Sequence, residues 1–223
     1  MGMSITDLHL GKRGKVSDKW ESYLHFYDKE FSEMRHRRIN LLEIGVQNGG
    51  SLETWASYFP YANAIVGIDI DPRCGELKFS DDRISVIVGD ASAAEIDATF
   101  NIVIDDGSHK SDDIIANFKY WWPKLRDGGL YIVEDFHTMW MEGYGSGAIK
   151  FFQDLVVTLN LPVAKPNDVA RLEFRNSLVL LQKGNKALGE RLVCGNVAEV
   201  NNAVLALRRG NKATLEEVTT IVA

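Results

Sequence analysis

Acidic residues recur directly after apolar runs along the first two thirds of the chain. Glu43 closes one run and opens the turn Glu43-Ile-Gly-Val-Gln-Asn-Gly-Gly-Ser51. Asp69-Ile-Asp71 follows a second run and Gly89-Asp90 a third. Asp105-Asp-Gly-Ser-His109 follows a fourth and Glu134-Asp135-Phe-His137 a fifth. Carboxylates gathered in one place repel one another, so a purely structural protein has no reason to collect them. Gly45 and Gly49 let the backbone turn tightly and approach a ligand closely. The dinucleotide fingerprint G-x-G-x-x-G is absent, because position 47 is Gln. Glu43 would repel a pyrophosphate and suits a cationic ligand instead. Asp69 lies 26 residues after Glu43, where open α/β sheets grip a ribose diol. Asp90, one run later, stands near where a base is bound. A cationic, ribose-bearing, phosphate-free cofactor fits S-adenosylmethionine.

These residues need elements to carry them. Apolar runs at 39–44, 64–68, 84–88, 101–104 and 129–133 predict strands buried on both faces of a parallel sheet. Helical patterns at 52–59, 112–125 and 148–159 alternate with them. Runs at 169–174 and 178–182 are separated by Arg175-Asn-Ser177 alone, too short for a parallel crossover, and predict an antiparallel pair. The expectation is α/β: a doubly wound, mostly parallel, Rossmann-like sheet with a final antiparallel strand. Ligands bind beyond the carboxyl ends of such strands, where the acids fall. Upstream, Trp20, Tyr23, Leu24, Tyr27 and Phe31 share one face of a helix expected over 19–34, with Ser17 as its N-cap. Residues 1–16 read as a loose arm. No linker divides the chain, so 1–223 is expected to be a single domain. Further helices are expected over 197–207 and from Lys212.

Composition sets the outer limits. The 223 residues carry 25 Lys+Arg against 31 Asp+Glu, a formal net charge of −6. That argues against broad electrostatic capture of nucleic acid. Cys74 and Cys194 are too few for a disulfide framework. No run of apolar residues is long enough to span a bilayer, and the start lacks a signal-peptide core. A cytoplasmic protein with no nucleic-acid or membrane partner is the resulting expectation.

Glu43-x-Gly45-x-x-x-Gly49 with Asp69 resembles the class I S-adenosylmethionine-dependent methyltransferases. Asp105-Asp-Gly-Ser-His109 with Glu134-Asp135 is similar to the metal-dependent O-methyltransferases of macrolide sugars and to the related cephalosporin hydroxylase group. Ser17-Asp-Lys-Trp20, with His25 and Tyr27, is similar to the segment before the first strand of that group. The likeness covers about residues 15–182. Some macrolide enzymes carry an extra N-terminal domain, and none is expected in a chain of this length.

The resemblance implies Mg²⁺ held by Asp106, Glu134 and Asp135, with His109 as general base. Three carboxylates without a thiolate do suit a hard ion. A metal-bound hydroxyl has a lowered pKa, and an imidazole can take its proton near neutrality. Glu43, Gly45, Gly49, Ser51, Asp69, Asp90 and Asp105 are assigned to the cofactor. Asp106 rather than Asp105 is given to the metal on the family spacing alone. The implied reaction is O-methylation of a sugar or polyol hydroxyl of a small molecule or glycan, by a protein that self-associates. A hydroxylase, a catechol-type enzyme and a non-catalytic cofactor-binding module are the alternatives. Asp71 reads as an N-cap before Pro72, His137 as a neighbour of the site, and Gly143–Gly147 as a mobile loop. Trp140 and Met141 are candidates for an acceptor wall, and His25 is placed either at the pocket or in the core.

Overall fold

The computed structural model describes residues 2–160 and 168–184. Cys194 and the helices expected over 197–207 and from Lys212 lie outside the described residues. Strands β1 (Asn40–Ile44), β2 (Ala64–Asp69), β3 (Ile84–Val88), β4 (Phe100–Asp105) and β5 (Leu125–Val133) are joined to β6 (Val169–Arg175) and β7 (Leu178–Lys183) in one sheet. The strand order is β3-β2-β1-β4-β5-β7-β6. β1 to β5 pair in parallel, and β7 is antiparallel to both β5 and β6. The doubly wound sheet with a reversed final strand is therefore as the apolar runs predict. The order reverses between β1 and β4, which opens the crevice where such sheets bind ligands.

Side chains alternate across the sheet, and this fixes where each acid goes. Leu41 of β1, Ile102 and Ile104 of β4, and Leu130 and Ile132 of β5 pack on one face. Helices α1 (Ile5–Leu10), α2 (Glu21–Phe31) and α3 (Gly50–Tyr58) cover it, contributing Tyr27, Phe31, Leu52 and Trp55. Leu42, Val103, Tyr131 and Val133 pack on the other face with Ile114, Phe118 and Trp121 of α4 (Ser111–Trp121) and Phe152 of α5 (Gly147–Asn160). Both faces are apolar, which explains why the strands read as continuous runs.

The N-terminal segment differs from expectation in two ways. Residues 5–10 are helical rather than loose. Ser4 and Asp7 form a reciprocal capping box, and Ile5 is fully buried against the core. Helix α2 starts at Glu21, not at Lys19, and Ser17 does not cap it; its N-cap, Trp20, makes no side-chain cap bond. Residues 16–20 instead carry no regular secondary structure, and Trp20 is 60% exposed rather than packed with Tyr23 and Tyr27. His25 is exposed, neither at the pocket nor in the core. No helix among the described residues is long and apolar enough to cross a membrane.

Candidate active site

The turn after β1 is tight because both of its predicted glycines have positive φ, +89° at Gly45 and +79° at Gly49. A Cβ at Gly45 would stand 2.1 Å from the carbonyl oxygen of Asp106, so only glycine lets the ends of β1 and β4 approach this closely. Asp69, at the end of β2, fixes the turn. Its Oδ2 accepts from the amides of Val46 (2.7 Å) and Gln47 (3.0 Å), and its Oδ1 from Asp71 N (2.9 Å). Burial would raise the Asp69 pKa, but these amides outweigh it and hold the carboxyl below its usual range. Asp71 caps the 3-10 turn Pro72–Glu76 through Arg73 N, in the capping role expected of it.

A cleft of about 870 Å³ opens over these ends. Gly45, Asp69, Gly89, Asp90, Asp106, His109 and Asp135 line it, and residues 16–19 form a further wall. A Cβ at Gly89 would meet nothing within 4 Å, so the bare backbone there leaves room for a ligand. Asp90 accepts from Ser92 N and Oγ, both at 2.8 Å, and remains exposed. Ser51 lines the same cleft, and its Oγ donates to Glu43 Oε2 at 2.6 Å.

The acids separate by strand parity. Glu43 of β1 pairs with Ile104 of β4, which pairs with Ile132 of β5. Asp106 and Glu134, two residues beyond, continue that face and converge on Lys19. Its Nζ lies 2.5 Å from Asp106 Oδ2, 2.7 Å from Glu134 Oε1 and 3.7 Å from Glu43 Oε1. Tyr27 Oη donates to Glu134 Oε1 at 2.6 Å. Burial would lower the lysine pKa, but Glu134, Asp106 and Glu43 outweigh it and keep the ammonium charged. Burial and the neighbouring Asp106 push Glu134 up, and burial pushes Glu43 up. Asp105 projects to the opposite face. It accepts from Asn117 Nδ2 and Tyr131 Oη, and burial raises its pKa to about 7. Its carboxyl does not line the cleft, so the structure does not bring it together with Asp69 and Asp90.

Asp135 adopts a left-handed conformation (φ 48°), which turns it back toward the cleft instead of following strand parity. Tyr23 Oη (2.9 Å) and Trp20 Nε1 (3.2 Å) donate to its Oδ1. His109, also at positive φ, places Nε2 4.0 Å from Asp135 Oδ2. One ligand atom from each of Asp106, His109 and Asp135 falls within a 4.8 Å group. The structure thus gathers two of the three predicted metal acids with the predicted base, while Glu134 is engaged by Lys19 and Tyr27. His137 sits beside Asp135 at 4.0 Å and contacts Ser177 Oγ. The Gly143–Gly147 loop is tied to the start of α4: Ser111 Oγ donates to Gly145 O at 2.6 Å, and Ser111 N to Tyr144 O at 2.9 Å.

Residues 42–136 match the family described as a methyltransferase domain. Over these residues the chain is similar to a methyltransferase domain. A 3'-O-methyltransferase of 8-demethyl-8-(2-methoxy-alpha-L-rhamnosyl)-tetracenomycin-C from Streptomyces olivaceus is 38% identical to it over 150 residues, 60% of this chain and 37% of that protein. Mycinamicin VI 2''-O-methyltransferase from Micromonospora griseorubida is 37% identical over 144 residues, 56% of this chain and 35% of that protein. These matches therefore span little more than a third of the length of the curated relatives. The MycE methyltransferase of mycinamycin biosynthesis, solved with Mg, SAH and mycinamycin VI, superposes with a TM-score of 0.71 at 26% identity. That alignment covers 86% of this chain and 57% of MycE.

Lys19 is the site residue that sequence reasoning missed. Its partners lie 87 and 115 residues away, and no local pattern announces such a contact. The nearest signal was the resemblance of Ser17-Asp-Lys-Trp20 to a family segment, which gave no role to the lysine.

Proposed function

We propose that the chain is a Mg²⁺-dependent S-adenosylmethionine O-methyltransferase acting on a sugar or polyol hydroxyl of a small molecule or glycan. The observation that carries this reading is the adjacency, along one sheet edge, of a cleft lined by Asp69 and Asp90 and a cluster of acids around Asp106. The buried acids fit a divalent cation. Lys19 supplies one positive charge against Glu43, Asp106 and Glu134, and Glu43 Oε1 is buried without a hydrogen-bond partner. The cleft fits a nucleoside: Gly45 and Gly89 keep its floor bare, and Asp69 and Asp90 offer acceptor oxygens.

Bound there, S-adenosylmethionine supplies a sulfonium methyl, and the ion supplies a charge that lowers the pKa of an acceptor hydroxyl. The chain does the rest. Asp69 and Asp90 orient the nucleoside, and the Gly45 turn allows its close approach. Asp106, Glu134 and Asp135 would hold the ion. His109 takes the acceptor's proton, and Asp135, 4.0 Å away, stabilises the imidazolium that results. Trp140 and Met141, 76% and 49% exposed just beyond Asp135, present an apolar wall to the acceptor. The sugar hydroxyl class is supported by the similar O-methyltransferases of rhamnosyl tetracenomycin and mycinamicin.

Transfer of a labelled methyl group from S-adenosylmethionine to rhamnosylated tetracenomycins and glycosylated macrolides tests the reading. Product is expected with Mg²⁺, lost with excess chelator and restored by added Mg²⁺. Chelator-resistant transfer would remove the ion from the mechanism. Transfer to catechols but to no glycoside would reassign the acceptor class.

A further inference from the structure

The role left unassigned belongs to Lys19. Its side chain is 4% exposed, and its ammonium bonds to two carboxylate oxygens just past the ends of neighbouring strands, Asp106 Oδ2 and Glu134 Oε1. Two cations cannot share the space between one such pair, because like charges at this separation repel strongly where water is excluded. An ammonium with three donors is also what an acid pair recruits when it must be satisfied without a metal.

Lys19 does not stand alone. It belongs to the strap formed by residues 16–20, which is pinned at both ends. Before the strap, Lys15 N donates to Glu53 Oε2 at 3.0 Å and Lys12 pairs with Glu53 at 2.9 Å. Val16 lies so close to α3 that a Cβ at Gly50 would stand 1.8 Å from its carbonyl oxygen. At the far end, Trp20 is bonded to Asp135. Between these anchors, Val16 to Lys19 wall the cofactor cleft. One side chain therefore links the wall of the cleft to the acids beside it.

We propose that Lys19 is a positioning residue that holds the place of the divalent ion between Asp106 and Glu134. It leaves that place when the ion enters, and so ties ion loading to the seating of the strap that walls the cofactor cleft. This rests on the reading of the acids as a divalent-ion site. It also explains why Glu134 is withheld from the group formed by Asp106, His109 and Asp135.

Titration of the full chain with Mn²⁺, followed by electron paramagnetic resonance, tests it without any assay of activity. Lys19→Met is expected to bind Mn²⁺ about tenfold more tightly or better than the wild type, the effect of removing a competing buried charge. A lysine with a merely structural role would lower stability without raising that affinity. Unchanged or weaker Mn²⁺ binding by the variant, with binding by the wild type intact, overturns the role of Lys19 alone. No Mn²⁺ binding by either protein overturns the ion site and this role with it. Should Lys19→Met fail to fold, amide hydrogen exchange of the wild type decides. Faster exchange across residues 16–20 on adding Mn²⁺ is expected, and unchanged or slower exchange refutes the proposal.

Discussion

Replacing Asp69 by alanine is expected to weaken S-adenosylhomocysteine binding at least ~100-fold, because a half-buried carboxylate with several charge-assisted bonds is lost at once. The carboxylate does two things. It holds the β1 turn through Val46 N and Gln47 N, and it faces the cleft where a ribose is expected. Alanine removes both functions and leaves those amides unpaired. Asp69→Asn separates them, since one acceptor oxygen can still take the turn amides while the charge is gone. Calorimetry should therefore rank the wild type above Asp69→Asn and Asp69→Asn above Asp69→Ala. Equal affinity in all three proteins would place the nucleoside elsewhere.

His109→Ala is expected to lower turnover by about 10² or more, the usual contribution of a positioned general base. Its effect on ion binding distinguishes two roles. As the base, His109 can be removed with Mn²⁺ affinity nearly unchanged. As a ligand with Asp106 and Asp135, to which its position also points, it cannot be removed without weakening the ion. The expected result is slow turnover with intact Mn²⁺ binding. Loss of both together would make His109 a ligand, and unchanged turnover would remove it from the mechanism.

The sheet was legible because its strands are buried on both faces. Continuous apolar runs at 39–44, 101–104 and 129–133 mark such strands in any register, and the short Arg175-Asn-Ser177 link admits only an antiparallel pair. Which of Asp105 and Asp106 meets the cleft was not legible from composition, since both follow the same run. Side-chain alternation decides it: Asp106 continues the face of Ile102 and Ile104, and Asp105 the face of Val103. Asp135 escapes that rule only because its backbone turns left-handed, a conformation that aspartate tolerates and that no periodicity foretells.

The N-terminal segment was harder to read because its partners are distant in sequence. The aromatic spacing from Tyr23 to Phe31 is helical, but it gives no reason to stop the helix short of Lys19. The tertiary attraction of Asp106 and Glu134 for an ammonium supplies that reason. In the same way, the Ser4 and Asp7 capping box was present in the sequence, yet a helix of six residues is stable only because Ile5 is buried against the core.

Titrating the wild-type chain with S-adenosylmethionine in a calorimeter, with and without Mg²⁺, tests whether this sheet edge binds the nucleoside beside a divalent ion. Saturable one-to-one binding with a dissociation constant of about 100 μM or tighter is expected, abolished by Asp69→Ala. No heat of binding at roughly millimolar ligand, with or without Mg²⁺, would rule out a cofactor site at this edge.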